Sequence, residues 1–279
     1  FERQLFVKAE RNRIPLYGVL ELLPLCNLNC DMCYVHLSKQ EMQSQGRLRS
    51  LDEWISLAKQ MKDAGTLFLL LTGGEPLLFP QFKELYCALK DMGMILTLNT
   101  NGTLINEEWA EFFAKNKPRR INITLYGSKN ETYENLCHMK DGFDKTIRGI
   151  ELLKKYKIDV KINGSLVKKN FHDRMEIIDI GEKYDIPVRI DTYMYPSVRE
   201  RTTPFNFQER LNPEDAAKAR VEILHREMGD ELFEQYAKQT IYLAEIQDMP
   251  EALENVNTLV NCPVLDEENP TLTLTIANT

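Results

Sequence analysis

The sequence predicts an α/β fold, a parallel sheet wrapped by helices, and two observations carry that expectation. Short apolar runs alternate with amphipathic helical stretches from about residue 16 to residue 193, and such alternation builds parallel sheets covered by helices. One of the runs, residues 67–71, is apolar throughout, the pattern of a strand buried on both faces. Six strand-like runs are separated by five helical ones. That is too few for a closed eight-stranded barrel, so a partial barrel and a doubly wound sheet both fit.

Residues 16–23 read as the first strand, ended by Pro24. A helix is expected over 50–64. Ser50 with Glu53 three residues later is a capping-box signature, Leu51, Trp54, Ile55, Ala58 and Met61 recur at helical spacing, and Gly65 closes the segment. After the strand at 67–71 the cycle repeats: helix 81–92 ending at Gly93, strand 94–98, helix 106–116 with Pro118 as a stop, and strand 121–125 ended by Gly127. Helix 143–156, strand 158–167, helix 171–184 and strand 188–193 complete it, up to Pro196. Residues 199–212 are polar and turn-rich. Asn212 as N-cap and Pro213 at the first helical position open a helix to about residue 228. A further helix is expected over 232–246, and residues 255–279 show no clear pattern.

The 279 residues suffice for a large core, and 43% hydrophobic with 28% charged residues is a globular composition. With 35 basic against 42 acidic side chains the net charge is −7, and without a long basic tract this argues against nucleic acid as the main partner. The longest apolar run, 67–71, is too short to span a bilayer, and no N-terminal signal peptide is visible. The 6 cysteines are few and uneven: Cys26, Cys30 and Cys33 are clustered, whereas Cys87, Cys137 and Cys262 are scattered. A secreted disulfide scaffold is shorter and denser in cysteine, so the cluster suggests metal chemistry in a reducing cytoplasm.

The clustered cysteines have the spacing Cys-x3-Cys-x2-Cys directly after the first strand. Chance produces this spacing in so cysteine-poor a chain with an expectation of about 0.003. Three thiolates on one tight loop can hold three irons of a [4Fe-4S] cube and leave the fourth iron open to another ligand. The alternatives are buried free thiols, or a zinc site completed by His36. A second motif, Gly73-Gly74-Glu75-Pro76, follows the apolar strand. Two glycines let backbone approach a ligand closely. Strand-end carbonyls and Glu75 could accept hydrogen bonds from an ammonium group; a plain tight turn is the other reading.

With these motifs the sequence resembles the radical SAM superfamily over roughly residues 14–196, since Cys26-x3-Cys30-x-Met32-Cys33 matches the family signature with Met32 at an often aromatic position. The resemblance implies a partial (β/α)6 TIM-like barrel over 14–196, an N-terminal extension over 1–13, and a mainly helical or irregular C-terminal region over 197–279. It implies a [4Fe-4S] cluster on Cys26, Cys30 and Cys33 that binds S-adenosylmethionine and cleaves it reductively to a 5′-deoxyadenosyl radical, which abstracts a substrate hydrogen. Met32 and Tyr34 would lie near the adenine, and Gly73, Gly74, Glu75 and Pro76 would serve the methionine amino group. Asn99 or Asn101 would contact the cofactor, and Thr124 and Asn163 its ribose or carboxylate. Each of these strand polars could equally make an internal hydrogen bond. Arg189 and Asp191 would touch cofactor or substrate, or pair with other side chains. No catalytic acid or base is named.

Residues 123–127, Thr132-Tyr133-Glu134 and residues 143–153 resemble the branch with SPASM or twitch C-terminal domains, many of whose members modify ribosomally made peptides. The implied substrate is a peptide or protein side chain, with a small metabolite as the alternative. The implied electron donor is a flavodoxin or ferredoxin. Substrate is expected at the open side near the C-terminal strand ends, with Phe205 and Phe207 over it. Cys262, in Asn261-Cys262-Pro263, is either the first ligand of an auxiliary cluster or a lone thiol. Cys87 is expected at a core-facing helix position and Cys137 in a loop as a structural thiol, and His172 and His225 are expected at the surface.

Overall fold

The computed structural model describes residues 2–194, 209–247 and 273–277. Pro196, Phe205, Phe207 and Cys262, and the expectations attached to them, lie outside the described residues. Strands β1 (Tyr17–Glu21), β2 (Phe68–Thr72), β3 (Ile95–Thr100), β4 (Arg120–Thr124), β5 (Val160–Ser165), β6 (Val188–Asp191) and β7 (Thr273–Ala277) form one sheet. Its order is β6-β5-β4-β3-β2-β1-β7, and every pairing is parallel. The helices are α1 (Glu2–Arg11), α2 (Lys39–Gln45), α3 (Leu51–Asp63), α4 (Phe82–Asp91), α5 (Glu107–Lys115), α6 (Asn130–Cys137), α7 (Gly142–Lys155), α8 (Arg174–Tyr184), α9 (Pro213–Met228) and α10 (Asp230–Gln247). None among the described residues is long and apolar enough to cross a membrane.

From β1 to β6 the spatial order follows the chain, without the reversal that marks a doubly wound sheet. The winding is that of a partial (β/α)6 barrel. Burial separates its two faces. Leu20, Leu69, Leu71, Leu96, Leu98, Ile121, Ile123 and Ile162 are buried in the same apolar cluster as helix residues such as Trp54, Leu85, Phe113, Ile150 and Ile177. The alternate positions Thr72, Asn99, Asn122, Thr124, Lys161, Asn163 and Ser165 are only half-buried. They face a polar interior, because side chains alternate along a strand. Leu70 on β2 is half-buried too, so the apolar run does not mark a strand buried on both faces.

Local signals set the helix ends. Ser50 accepts from Glu53 N–H and Glu53 reaches back to Ser50 N–H, the capping box expected from sequence. Asn106 accepts from Trp109 N–H and Asn212 from Asp215 N–H, capping α5 and α9 at N3. The sequence reading missed three helices: α1, α2 and α6. Residues 273–277, where no pattern was visible, form β7 beside β1. Cys137 is the last residue of α6 rather than a loop residue, and it is fully buried. Cys87 is half-buried beside the buried face of α4, which is Phe82, Leu85, Tyr86 and Leu89. His172 and His225 are exposed, next to Asp173 and Asp230 respectively.

Helix α1 covers the N-terminal end of the strands. Phe6 stacks on Phe68 at 5.9 Å, Tyr17 stacks on Phe68 at 5.7 Å, and Ala9, Leu16 and Phe68 form a small separate core. At the other edge, Leu211, Ala216, Ala219 and Ile223 of the α9 region join the main core. Arg174 of α8 pairs with Glu222 of α9 at 2.6 Å.

Candidate functional site

The chain leaves β1 through buried Leu22 and Leu23 and enters the cysteine loop at Pro24. Apolar residues between and just after the cysteines anchor this loop: Leu28, Met32 and Val35 are buried, while the three cysteines are half-buried. Leu37 N–H donates to Pro24 C=O (3.1 Å) and closes the loop, and Cys33 N–H donates to Cys30 C=O (3.0 Å). Leu28 N–H points at Cys26 Sγ (3.4 Å), His36 N–H at Cys33 Sγ (3.3 Å) and the Asn101 amide at Cys26 Sγ (3.6 Å).

Burial pushes the Cys26 thiol up to about 12. Cys30 is raised well above the ordinary thiol value, first by its hydrogen bond with Cys137 and then by burial. Thiols so placed stay neutral unless a cation draws off the proton. The N–H donors aimed at two of the sulfurs are what the resulting thiolates require. Among the described residues no three His, Cys, Asp or Glu side chains converge on one ion position. An iron–sulfur cube offers each thiolate a separate iron, so this donor set fits a cube better than a single zinc.

The glycine motif is stitched to this loop. Gly74 N–H donates to Leu23 C=O (2.7 Å) and Glu75 N–H to Leu25 C=O (2.9 Å). Gly73 has φ +152°, and a Cβ there would lie 2.6 Å from Leu23 O; at Gly74 it would lie 2.3 Å from Leu25 O. The glycines therefore allow two loops of the chain to touch. The Glu75 side chain points into the packing behind them. It is fully buried and accepts from Thr100 Oγ1, Asn101 N–H and Leu77 N–H. Burial pushes its carboxyl up to about 7, and the three donors oppose that rise.

In front of the two loops, at the C-terminal ends of the strands, lies a cavity of about 390 Å³. Of the residues singled out from sequence, Cys30, Cys33, Met32, Tyr34, Gly73, Gly74, Asn99, Thr124 and Asn163 line it. Met32 is buried, and Tyr34 is 53% exposed. Asn99 accepts from the Asn122 amide at 2.8 Å, so its internal hydrogen bond and its place on the cavity coexist. Thr124 and Asn163 line the cavity with no side-chain hydrogen bond among the described residues.

Cys26, Glu75, Pro76, Asn101 and Arg189 are not on the cavity wall. Asn101 is buried and bridges Cys26 and Asn27. Pro76 begins the short 3-10 turn Pro76–Leu78. Arg189 is exposed and pairs with Asp191 at 3.1 Å, and it is Asp191 that reaches the cavity. Thr72, Thr100, Tyr126, Ser165 and Met194 also line it and were missed. The signal for Ser165 was available, because it lies two residues after Asn163 on the same strand face.

A family model described as the Radical SAM superfamily matches residues 20–180. The AdoMet-dependent heme synthase of Methanosarcina barkeri is 30% identical over 196 residues, covering 69% of this chain and 55% of that protein. The antilisterial bacteriocin subtilosin biosynthesis protein AlbA of Bacillus subtilis is 29% identical, covering 61% and 38%. The cysteine-type anaerobic sulfatase-maturating enzyme of Clostridium perfringens is 34% identical over 152 residues, covering 49% and 40%. The chain spans about half the length of these curated relatives or less. Among solved structures, Streptococcus suis SuiB bound to S-adenosylmethionine has a TM-score of 0.62 at 20% identity, covering 80% of this chain and 51% of that one. The anSMEcpe structure with bound AdoMet and Cp18Cys peptide has a TM-score of 0.60 at 23% identity, covering 75% and 59%. At these identities the likeness is one of fold.

Proposed function

The chain belongs to the radical SAM superfamily, enzymes that work with a [4Fe-4S] cluster and S-adenosylmethionine, and from that membership we propose that it performs radical chemistry on a peptide or protein side chain. One observation carries the reading: three cysteines sit on a single loop beside a polar cavity at the C-terminal strand ends. The cluster and cofactor together supply, when bound, one-electron cleavage of the C5′–S bond and the radical that removes a substrate hydrogen.

The chain's own residues bind and orient. Cys26, Cys30 and Cys33 hold the irons, with N–H donors already aimed at Cys26 and Cys33. Met32, buried at the cavity wall, and Tyr34, exposed on it, would lie near the adenine, Met32 with a polarizable surface. Gly73 and Gly74, which line the cavity, would serve the methionine amino group. Thr124 and Asn163, whose side chains make no hydrogen bond among the described residues, would serve the ribose or carboxylate. Asp191, Ser165 and Met194 line the same cavity nearer the β6 edge, where substrate meets the cofactor. The barrel domain, residues 14–196, carries this machinery. The region 197–279 would correspond to an incomplete SPASM or twitch domain, with Cys262 as a candidate auxiliary ligand. A flavodoxin or ferredoxin supplies the electron.

The similarity to AlbA and to the sulfatase-maturating enzyme supports the peptide reading. A small-metabolite substrate is the second reading, supported by the similarity to the heme synthase. Anaerobic reconstitution with iron and sulfide tests the chemistry. The expected result is a brown protein that forms 5′-deoxyadenosine with dithionite and S-adenosylmethionine, and Cys30→Ala abolishes both. A wild-type chain that takes up no iron, or a Cys30→Ala protein that still forms the nucleoside, overturns it.

A further inference from the structure

Asp31 lies between Cys30 and Cys33, and both its carboxylate oxygens are engaged from outside the loop. Oδ1 meets His138 Nε2 at 2.8 Å, and Oδ2 accepts from Lys169 Nζ at 2.5 Å. The backbone on either side of Cys30 is held as well. Asn29 N–H and Asp31 N–H donate to the carbonyls of Cys137 and Leu136, each at 3.1 Å. These carbonyls belong to the last turn of α6, where helical acceptors have no partner within the helix. The cysteine loop therefore supplies the donors that end the helix.

His138 closes α6 in the left-handed conformation, with φ 57°. Glycine is the ordinary residue at such a place, because any side chain is strained there. The histidine at this position makes a contact that its backbone does not require: its ring reaches Asp31. That hydrogen bond needs only a proton on Nε2, so it forms with the ring neutral or charged. Lys169 arrives from a different element, the 3-10 turn Lys168–Asp173 that follows β5. Asp31 and Lys169 are only 25% and 32% exposed, which limits screening of the pair.

We propose that His138 and Lys169 are positioning residues for the ligand loop, which act through Asp31 to fix the Cys30–Cys33 segment in the shape that presents its thiolates to the cluster. This rests on the reading of Cys26, Cys30 and Cys33 as ligands. Residues that orient ligands typically change metal retention by an order of magnitude or more when removed.

The test uses the 279-residue chain, reconstituted anaerobically with iron and sulfide. Iron release to a ferrous chelator and the EPR signal of the dithionite-reduced cluster are compared for wild type, Lys169→Met, His138→Gly and the reversed pair Asp31→Lys with Lys169→Asp. Lys169→Met and His138→Gly should each release iron about tenfold faster and broaden the EPR signal, and the reversed pair, which restores the ion pair but leaves His138 without its acceptor, should retain iron no better than His138→Gly. His138→Gly also relieves the left-handed strain, so the melting temperature of its metal-free form should hold or rise while iron retention falls. A residue serving only the fold would move both in the same direction. Normal loading of wild type with unchanged release and EPR signal in both single variants overturns the clamp alone. A wild-type chain that takes up no iron overturns the ligand assignment, and the clamp with it.

Discussion

Glu75 shows how far a residue's role can depart from the motif that contains it. A Gly-Gly-Glu-Pro turn at a strand end suggested a carboxylate facing a ligand, yet the side chain is fully buried behind the turn, where three groups donate to it. Its carboxyl is raised from 4.5 to about 7, chiefly by burial. For an acid raised on folding, the unfolded chain loses its proton first. Stability is therefore unaffected below about pH 4.5 and declines until about pH 7, where the folded form ionises too. Through this group the metal-free chain should lose on the order of 3 kcal/mol across that window. Urea unfolding at about pH 5 and about pH 8 should show the decline in wild type and not in Glu75→Gln; equal declines refute it. The cysteine loop was legible in sequence because its three cysteines lie within eight residues of one another. The direction of Glu75 was not, since a motif names neighbours along the chain and leaves open which of them face the cavity. Arg189 and Asp191 make the same point: both lie on one face of β6, and only Asp191 reaches the cavity wall.

Elements were legible wherever apolar periodicity and a cap agreed. The helix opened by Ser50 and Glu53 and those opened by Asn106 and Asn212 start where sequence placed them. Helix α2 has a capping box of its own, Ser38 with Glu41, but none of its residues is buried, so the hydrophobic pattern is silent there. Helix α6 is eight residues long and ends on His138 rather than glycine, which hides its stop signal. The two loops of the site form a joint element that neither motif announces: backbone hydrogen bonds from Gly74 and Glu75 tie the β2 exit to the chain just before Cys26. Gly74→Ala would push a methyl group to within 2.3 Å of Leu25 O, a contact with backbone that no rotamer change relieves. The expected loss is about 1–3 kcal/mol of stability, accompanied by reduced iron uptake. A thermal melt and an iron assay check both, and an unperturbed melt would contradict the packing described here.

For the whole molecule, the sequence established a succession of strands and helices, and three-dimensional winding decided between the two architectures it allowed. Because β1 to β6 lie in chain order, their inner faces share one polar interior, and the half-buried Asn122, Thr124, Lys161 and Asn163 belong to it. Helix α1 closes the end of the strands opposite the cavity. Phe6→Ala should cost about 1–2 kcal/mol in thermal stability while leaving iron loading unchanged; a variant as stable as wild type would show that the stack on Phe68 contributes nothing. The bonds that shape the cysteine loop span great lengths of chain: His138 lies 107 residues beyond Asp31, and Lys169 lies 138 beyond. Contacts of such separation form late, because a long loop must close before they can. During synthesis, then, the cysteine segment leaves the ribosome long before its supports exist. Until residue 169 has emerged, the nascent chain cannot complete the bonds that shape the cysteine loop, so the loop takes its final form only after translation of the barrel has passed that point.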